Sequence, residues 1–187
     1  MDALMICLLA CGAASLGSRW WLVASTVRFR LPNVSAHFAI IATAALGSAV
    51  AAWFGASIAA QFRGPGMLLL LALALLFAGA GMAWPARPLP AKSQASVKGP
   101  LSALILLAAA MLSDSAPFII FAAAARTGSA AFAAIGGTVG LAAAAMLVPA
   151  INPAETLPPW LHWLRRTIAL LLFVVGVIAA INALGLL

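Results

Sequence analysis

Charge is what this chain has least of. Charged side chains make up 7% of its 187 residues, and the only carboxylates are Asp2, Asp114 and Glu155. The histidines, His37 and His162, share no ligand spacing with other candidates and lie near the ends of apolar runs, where interfacial solvation is their expected role. There is no GxSxG, HExxH, Walker A or Rossmann pattern, and no histidine is placed to activate a serine. An enzyme is therefore not expected, and no cofactor is implied. Cysteine is just as sparse: Cys7 and Cys11 lie four residues apart on one helix face, a spacing that suits neither a CxxC redox motif nor a structural zinc site. They read as small core residues. Leu8-Leu9-Ala10-Cys11 faintly resembles a lipoprotein processing site, but Asp2 is the sole early charge where a signal peptide wants a basic start, so residue 1 is read as part of a mature first helix.

What the chain does have is apolar length. Hydrophobic residues reach 66% and mean hydropathy is +1.17, far outside the range of soluble domains, which predicts an integral membrane protein. The formal charge of +7 would suggest nucleic acid in a soluble chain. Here the basic residues sit mainly in short loops between apolar runs, so no nucleic-acid partner is expected. Six stretches are long enough to cross a bilayer core of about 30 Å: Ala3 to Val27, Phe38 to Ala60, Met67 to Trp84, Leu101 to Ala125, Ser129 to Ile151 and Thr167 to Leu187. Tight turn-forming connections such as Gly64-Pro65-Gly66 and Arg126-Thr127-Gly128 argue for antiparallel neighbours. The expected fold is all-α, a polytopic membrane helix bundle.

Arg28, Arg30, Arg87, Lys92, Lys98, Arg165 and Arg166 fall on one side of these spans, while Arg63 and Arg126 fall on the other. Because positive loops stay cytoplasmic, both termini are expected to be non-cytoplasmic, in an inner (plasma) membrane. Trp84, Trp160 and Trp163 stand at the expected cytoplasmic ends as interfacial anchors. The polar connection 85–100, rich in Pro, Ser, Lys and Ala, divides the chain into a first three-helix unit, 1–84, and a second, 101–187. An odd number of crossings per half makes the second half enter from the opposite side. A shift of 96 residues sets Ser18 over Asp114, Arg30 over Arg126 and Leu75-Leu76-Phe77 over Leu171-Leu172-Phe173, as a 3+3 inverted repeat would.

Polar residues interrupt two of the spans at matching depth. In the fourth, Ser113-Asp114-Ser115-Ala116-Pro117 brings a carboxylate and hydroxyls together; Pro117, having no amide hydrogen, is expected to break the helix and free the carbonyl of Ser113. Such oxygen donors suit a hard divalent cation, with Asp114 as the metal ligand. In the first span, Ser15, Ser18 and Arg19 share a helix face by their spacing, and Gly17 lets a neighbour approach closely. An ionisable group at membrane depth usually lines a pathway or meets a partner, so Ser15, Gly17, Ser18, Arg19, Ser113, Asp114 and Ser115 form the candidate ion pathway, with Arg19 and Asp114 expected to pair. Gly136 to Gly140, with its GxxxG spacing, and Ala44 to Ser48 read as packing surfaces.

Ser15-Leu16-Gly17-Ser18-Arg19-Trp20 leads to the basic helix end Arg28-Phe29-Arg30, and Met111-Leu112-Ser113-Asp114-Ser115-Ala116 leads to Arg126. In this order of features, and in its final helix approached through Leu157-Pro158-Pro159-Trp160 and Arg165-Arg166, the chain resembles the GDT1 family of membrane proteins, also described as the TMEM165 or UPF0016 family. Members of that family have two three-helix repeats, each opening with a Glu-x-Gly-Asp-Lys-Thr/Ser motif. Here Gly17 is kept and Arg19 stands for Lys, Ser15 and Ser18 stand for the two acids, and in the second motif Asp114 is kept while Met111 stands for Glu. The resemblance implies exchange of Mn2+ or Ca2+ against protons, with the bilayer and a homo-oligomer as further partners. Two other expectations follow from the residues: a transport-inactive relative serving as a membrane assembly or regulatory subunit, and an amino-acid exporter of similar 3+3 layout.

Overall fold

The computed structural model describes residues 2–62, 65–83, 97, 99–147 and 159–185. Their regular structure is helical, with no strand among them: α1 (Asp2–Ser15), α2 (Arg19–Arg30), α3 (Asn33–Ala59), α4 (Pro65–Ala83), α5 (Pro100–Leu112), α6 (Ala116–Thr127), α7 (Ala130–Leu147) and α8 (Pro159–Ala183). By length and apolar composition α3, α4 and α8 can each cross a membrane, and the count reaches five if the pairs α1–α2 and α5–α6 each form one bent span; α7 is apolar but shorter. Leu46, Trp53, Leu170 and Leu171 are among many large apolar side chains left on the outside. In water such a surface would be a liability, and in lipid it is the solvent-facing side of the protein. The chain thus has the build of an integral membrane protein. Of the expected 85–100 connection, residues 85–96 and Lys98 lie outside the described residues, as does Trp84, and Pro100 opens α5.

Two spans are bent, the first against expectation and the fourth near the break expected at Pro117. The first turns by 74° between Ser15 and Arg19, the fourth by 64° between Leu112 and Ala116. The first bend has a local cause. Gly17 takes φ +66, in the left-handed region where a Cβ is costly, and Ser18 is extended and accepts from the Trp21 amide through its Oγ, capping a new helix. A helical register therefore does not run through residues 16–18. The second bend lies at Ser113–Ser115, just before Pro117 rather than at it; Pro117 sits in the first turn of α6, where an amide hydrogen has no helical acceptor to meet. Two further boundaries differ from expectation: α3 starts at Asn33, and α8 starts at Pro159 and so takes Arg165 and Arg166 into the helix.

Packing joins the two halves of the chain. α4 lies along α8, α1 along α7, and α3 against α6 and α7, so residues 2–83 and 99–185 interleave. Small residues allow this. A Cβ at Gly136 would stand 2.3 Å from the Leu4 carbonyl oxygen and one at Gly140 2.5 Å from that of Leu8, so the α1–α7 seam depends on their absence. The α4–α8 seam is reciprocal, with Gly79 against Ala169 and Phe173, and Gly176 against Leu76. At the far end of α7, Trp21 donates from Nε1 to Ala144 O at 3.2 Å and Arg28 from Nη1 to Ala145 O at 2.9 Å. Those carbonyls belong to the last described turn of α7, where side-chain donors meet carbonyls near the helix end.

Candidate site at the meeting of two bent helices

The two bends touch. Ser18, the cap of α2, donates its Oγ hydrogen to Asp114 Oδ2 at 2.5 Å, a buried contact between residues 96 apart. The other carboxylate oxygen, Oδ1, accepts from the Ser115 amide at 2.7 Å and the Ser115 hydroxyl at 3.3 Å. Asp114 is 6% exposed, and Ser15, Ser18 and Ser115 are buried with it. A carboxylate held this way is positioned by neutral donors on both oxygens, so its charge is partly spread into hydrogen bonds rather than cancelled. Fully buried Cys11 lies beside it, its Sγ 4.0 Å from the Ala116 carbonyl at the start of α6.

Ser18, Asp114 and Ser115 are thus brought together. Ser15 is buried nearby but spends its hydroxyl on Gly12 O at 2.9 Å, and exposed Ser113 spends its own on Ala110 O at 2.9 Å. Gly17 serves the turn. Arg19 does not pair with Asp114: it is exposed on the first turn of α2. The reason is the break itself. The shared face of Ser15, Ser18 and Arg19 assumed continuous helix, and once the chain restarts at Ser18, the cap turns inward and the next residue outward.

The cation of the interior is Arg165. Among the described residues Asp114 and Arg165, at 6% and 7% exposure, are the two buried charged side chains. Arg165 donates from Nη2 to the Met82 carbonyl, in the last turn of α4, at 3.3 Å, while its Nη1 is buried without a hydrogen-bond partner. Sequence reasoning missed it because Arg165 and Arg166 together read as a basic helix end. The available signal was helical geometry: neighbours on a helix point about 100° apart, so one of an adjacent pair can face inward while the other, here exposed Arg166, faces out.

Around this centre the walls are apolar. Met111 lays its thioether over Gly47 of α3. Met111 and Pro117 also line a cavity of about 510 Å³ between α3 and α5, with Thr43, Val50 and Ala108. No group of three or more His, Cys, Asp or Glu side chains suited to a metal ion occurs among the described residues. Any cation at Asp114 would complete its shell with hydroxyl, carbonyl or water oxygens. No protein-family model, curated protein or solved structure matches the chain.

Proposed function

We propose that this protein is a secondary membrane transporter whose substrate site is the Ser18–Asp114 junction. The observation that carries this reading is the hydrogen bond joining the breaks of two bent helices. Broken helices place free backbone ends and a carboxylate inside a membrane protein, where irregular backbone persists only if it is buried in protein or lines a cavity. The elements support a six-span 3+3 inverted repeat: a bent pair, then two further helices, in each half. Ser18 and Asp114 are equivalent under the 96-residue shift, and in such a repeat equivalent residues that touch would lie on the axis relating the halves. This layout gives non-cytoplasmic termini and a cytoplasmic 85–100 connection, in keeping with the six-to-two division of basic residues that remains once Arg165 is counted in the interior.

The transported species in this reading is a divalent cation, Mn2+ or Ca2+, exchanged against protons, as the resemblance to the GDT1 family suggests. Asp114 alternates between ion and proton. Growth of a deletion strain on rising MnCl2 tests it. Wild-type protein is expected to restore tolerance, and Asp114→Asn, expressed at equal level, to fail, since a neutral amide keeps the volume but cannot exchange a proton. Equal tolerance with either variant would reject the reading. A second reading, a transport-inactive assembly or regulatory subunit, is favoured by one observation: among the described residues the buried charges are one acid and one base, which balance.

A further inference from the structure

We propose that Arg165 is the resident counter-cation of Asp114, and that a cation binding at Asp114 competes with it, so that Arg165 sets how strongly the site holds positive charge. The competition rests on Asp114 being the ion-binding carboxylate; the charge pairing stands without it. Three observations lead here. Asp114 and Arg165 are the two buried charges among the described residues, one of each sign. Their anchors adjoin: Arg165 holds the Met82 carbonyl, and the preceding residue, Gly81, lies against Ser115, where a Cβ would come 3.9 Å from the Ser115 Cβ. Ser115 in turn donates twice to Asp114. The guanidinium is also under-used, since one nitrogen is bonded to a carbonyl while Nη1 is buried with none.

Capping α4 alone does not account for this arrangement. One carbonyl needs one donor, and a guanidinium taken out of water for that purpose leaves its charge uncompensated. A carboxylate whose two oxygens are held by neutral donors has the same shortfall with the opposite sign. Each charge therefore makes the other tolerable inside the protein, across the short path from α8 through the end of α4 to the break before α6. A second positive charge arriving at Asp114 weakens that balance, and a divalent ion weakens it more than a proton does. Arg165 thereby acts on the ion through Asp114, as a specificity-determining residue.

Thermal unfolding of the purified full-length protein in detergent, for Arg165→Gln, Asp114→Asn, the double variant and Arg165→Lys, tests the pairing. Arg165→Gln is expected to lower Tm by about 10 °C, the double variant to recover at least half of that loss, and Arg165→Lys to stay close to wild type. Equal losses from Arg165→Gln in wild-type and Asp114→Asn backgrounds would overturn it, because a residue that only caps α4 is indifferent to Asp114. If Arg165→Gln fails to fold, the double variant decides: folding upholds the pair, and failure while Asp114→Asn folds overturns it. MnCl2 titration of Tm tests the competition. Arg165→Gln should respond at concentrations about tenfold lower than wild type, and an identical response would overturn it. Coupling without an Mn2+ response in any variant would leave the charge pair standing and remove Mn2+ as the substrate.

Discussion

The Ser18 hydroxyl does two jobs at once, accepting from the Trp21 amide to start α2 and donating to Asp114. Ser113, four residues from Pro117, makes only a local bond to Ala110. Ser18→Ala should therefore cost about 2–3 kcal/mol, combining a lost helix cap with a lost hydrogen bond to a buried carboxylate, whereas Ser113→Ala should cost well under 1 kcal/mol. Thermal unfolding of the two variants side by side measures the difference, and equal losses would contradict the geometry described here. Asp114, Ser18 and Ser115 were legible in the sequence because a polar residue in the middle of an apolar run has few reasons to be there. Arg165 was not, since adjacent basic residues at the head of an apolar run look like a solvated end. The expected Arg19–Asp114 contact failed for a related reason: periodicity was extended across a turn that breaks it.

At the scale of elements, glycines act in two distinct ways. Gly17 and Gly128 occupy left-handed positions that end α1 and α6, while Gly136 and Gly140 let α1 and α7 touch backbone to backbone. The two kinds of site should respond differently to alanine. Gly128→Ala meets no neighbour within 4 Å and should cost about 1 kcal/mol of backbone strain. Gly136→Ala drives a Cβ into the Leu4 carbonyl and should cost about 3 kcal/mol or shift α1 away from α7. A Tm drop for Gly136→Ala several-fold larger than for Gly128→Ala is the expected result, and the reverse order would contradict the seam. The helices were readable from apolar runs long enough to span a bilayer. Their bends were only half readable: Pro117 announced a disturbance near residue 114, but it opens α6 instead of kinking a continuous helix, and the turn at Gly17 needed a backbone angle that composition does not carry.

Taken as a whole, the molecule spends its few polar residues on joints. Arg28 holds a carbonyl in the last described turn of α7, Arg165 reaches the end of α4, and Ser18 ties one bent helix to the other at Asp114. Each of these joints is made between groups of the chain itself. Long-range order of this kind was beyond the sequence, because it depends on how the two halves interleave: α1 finds α7, and α4 finds α8, far apart along the chain. The joint at Asp114 is proposed to move ions. Purified protein reconstituted into sealed vesicles, with a proton-sensitive dye inside and an imposed Mn2+ or Ca2+ gradient, tests it most directly. Wild type should move protons against the metal ion, and Asp114→Asn, folded and inserted to the same extent, should lose at least nine-tenths of that flux. Equal flux through Asp114→Asn, or none through the wild type with any ion tried, would contradict the claim.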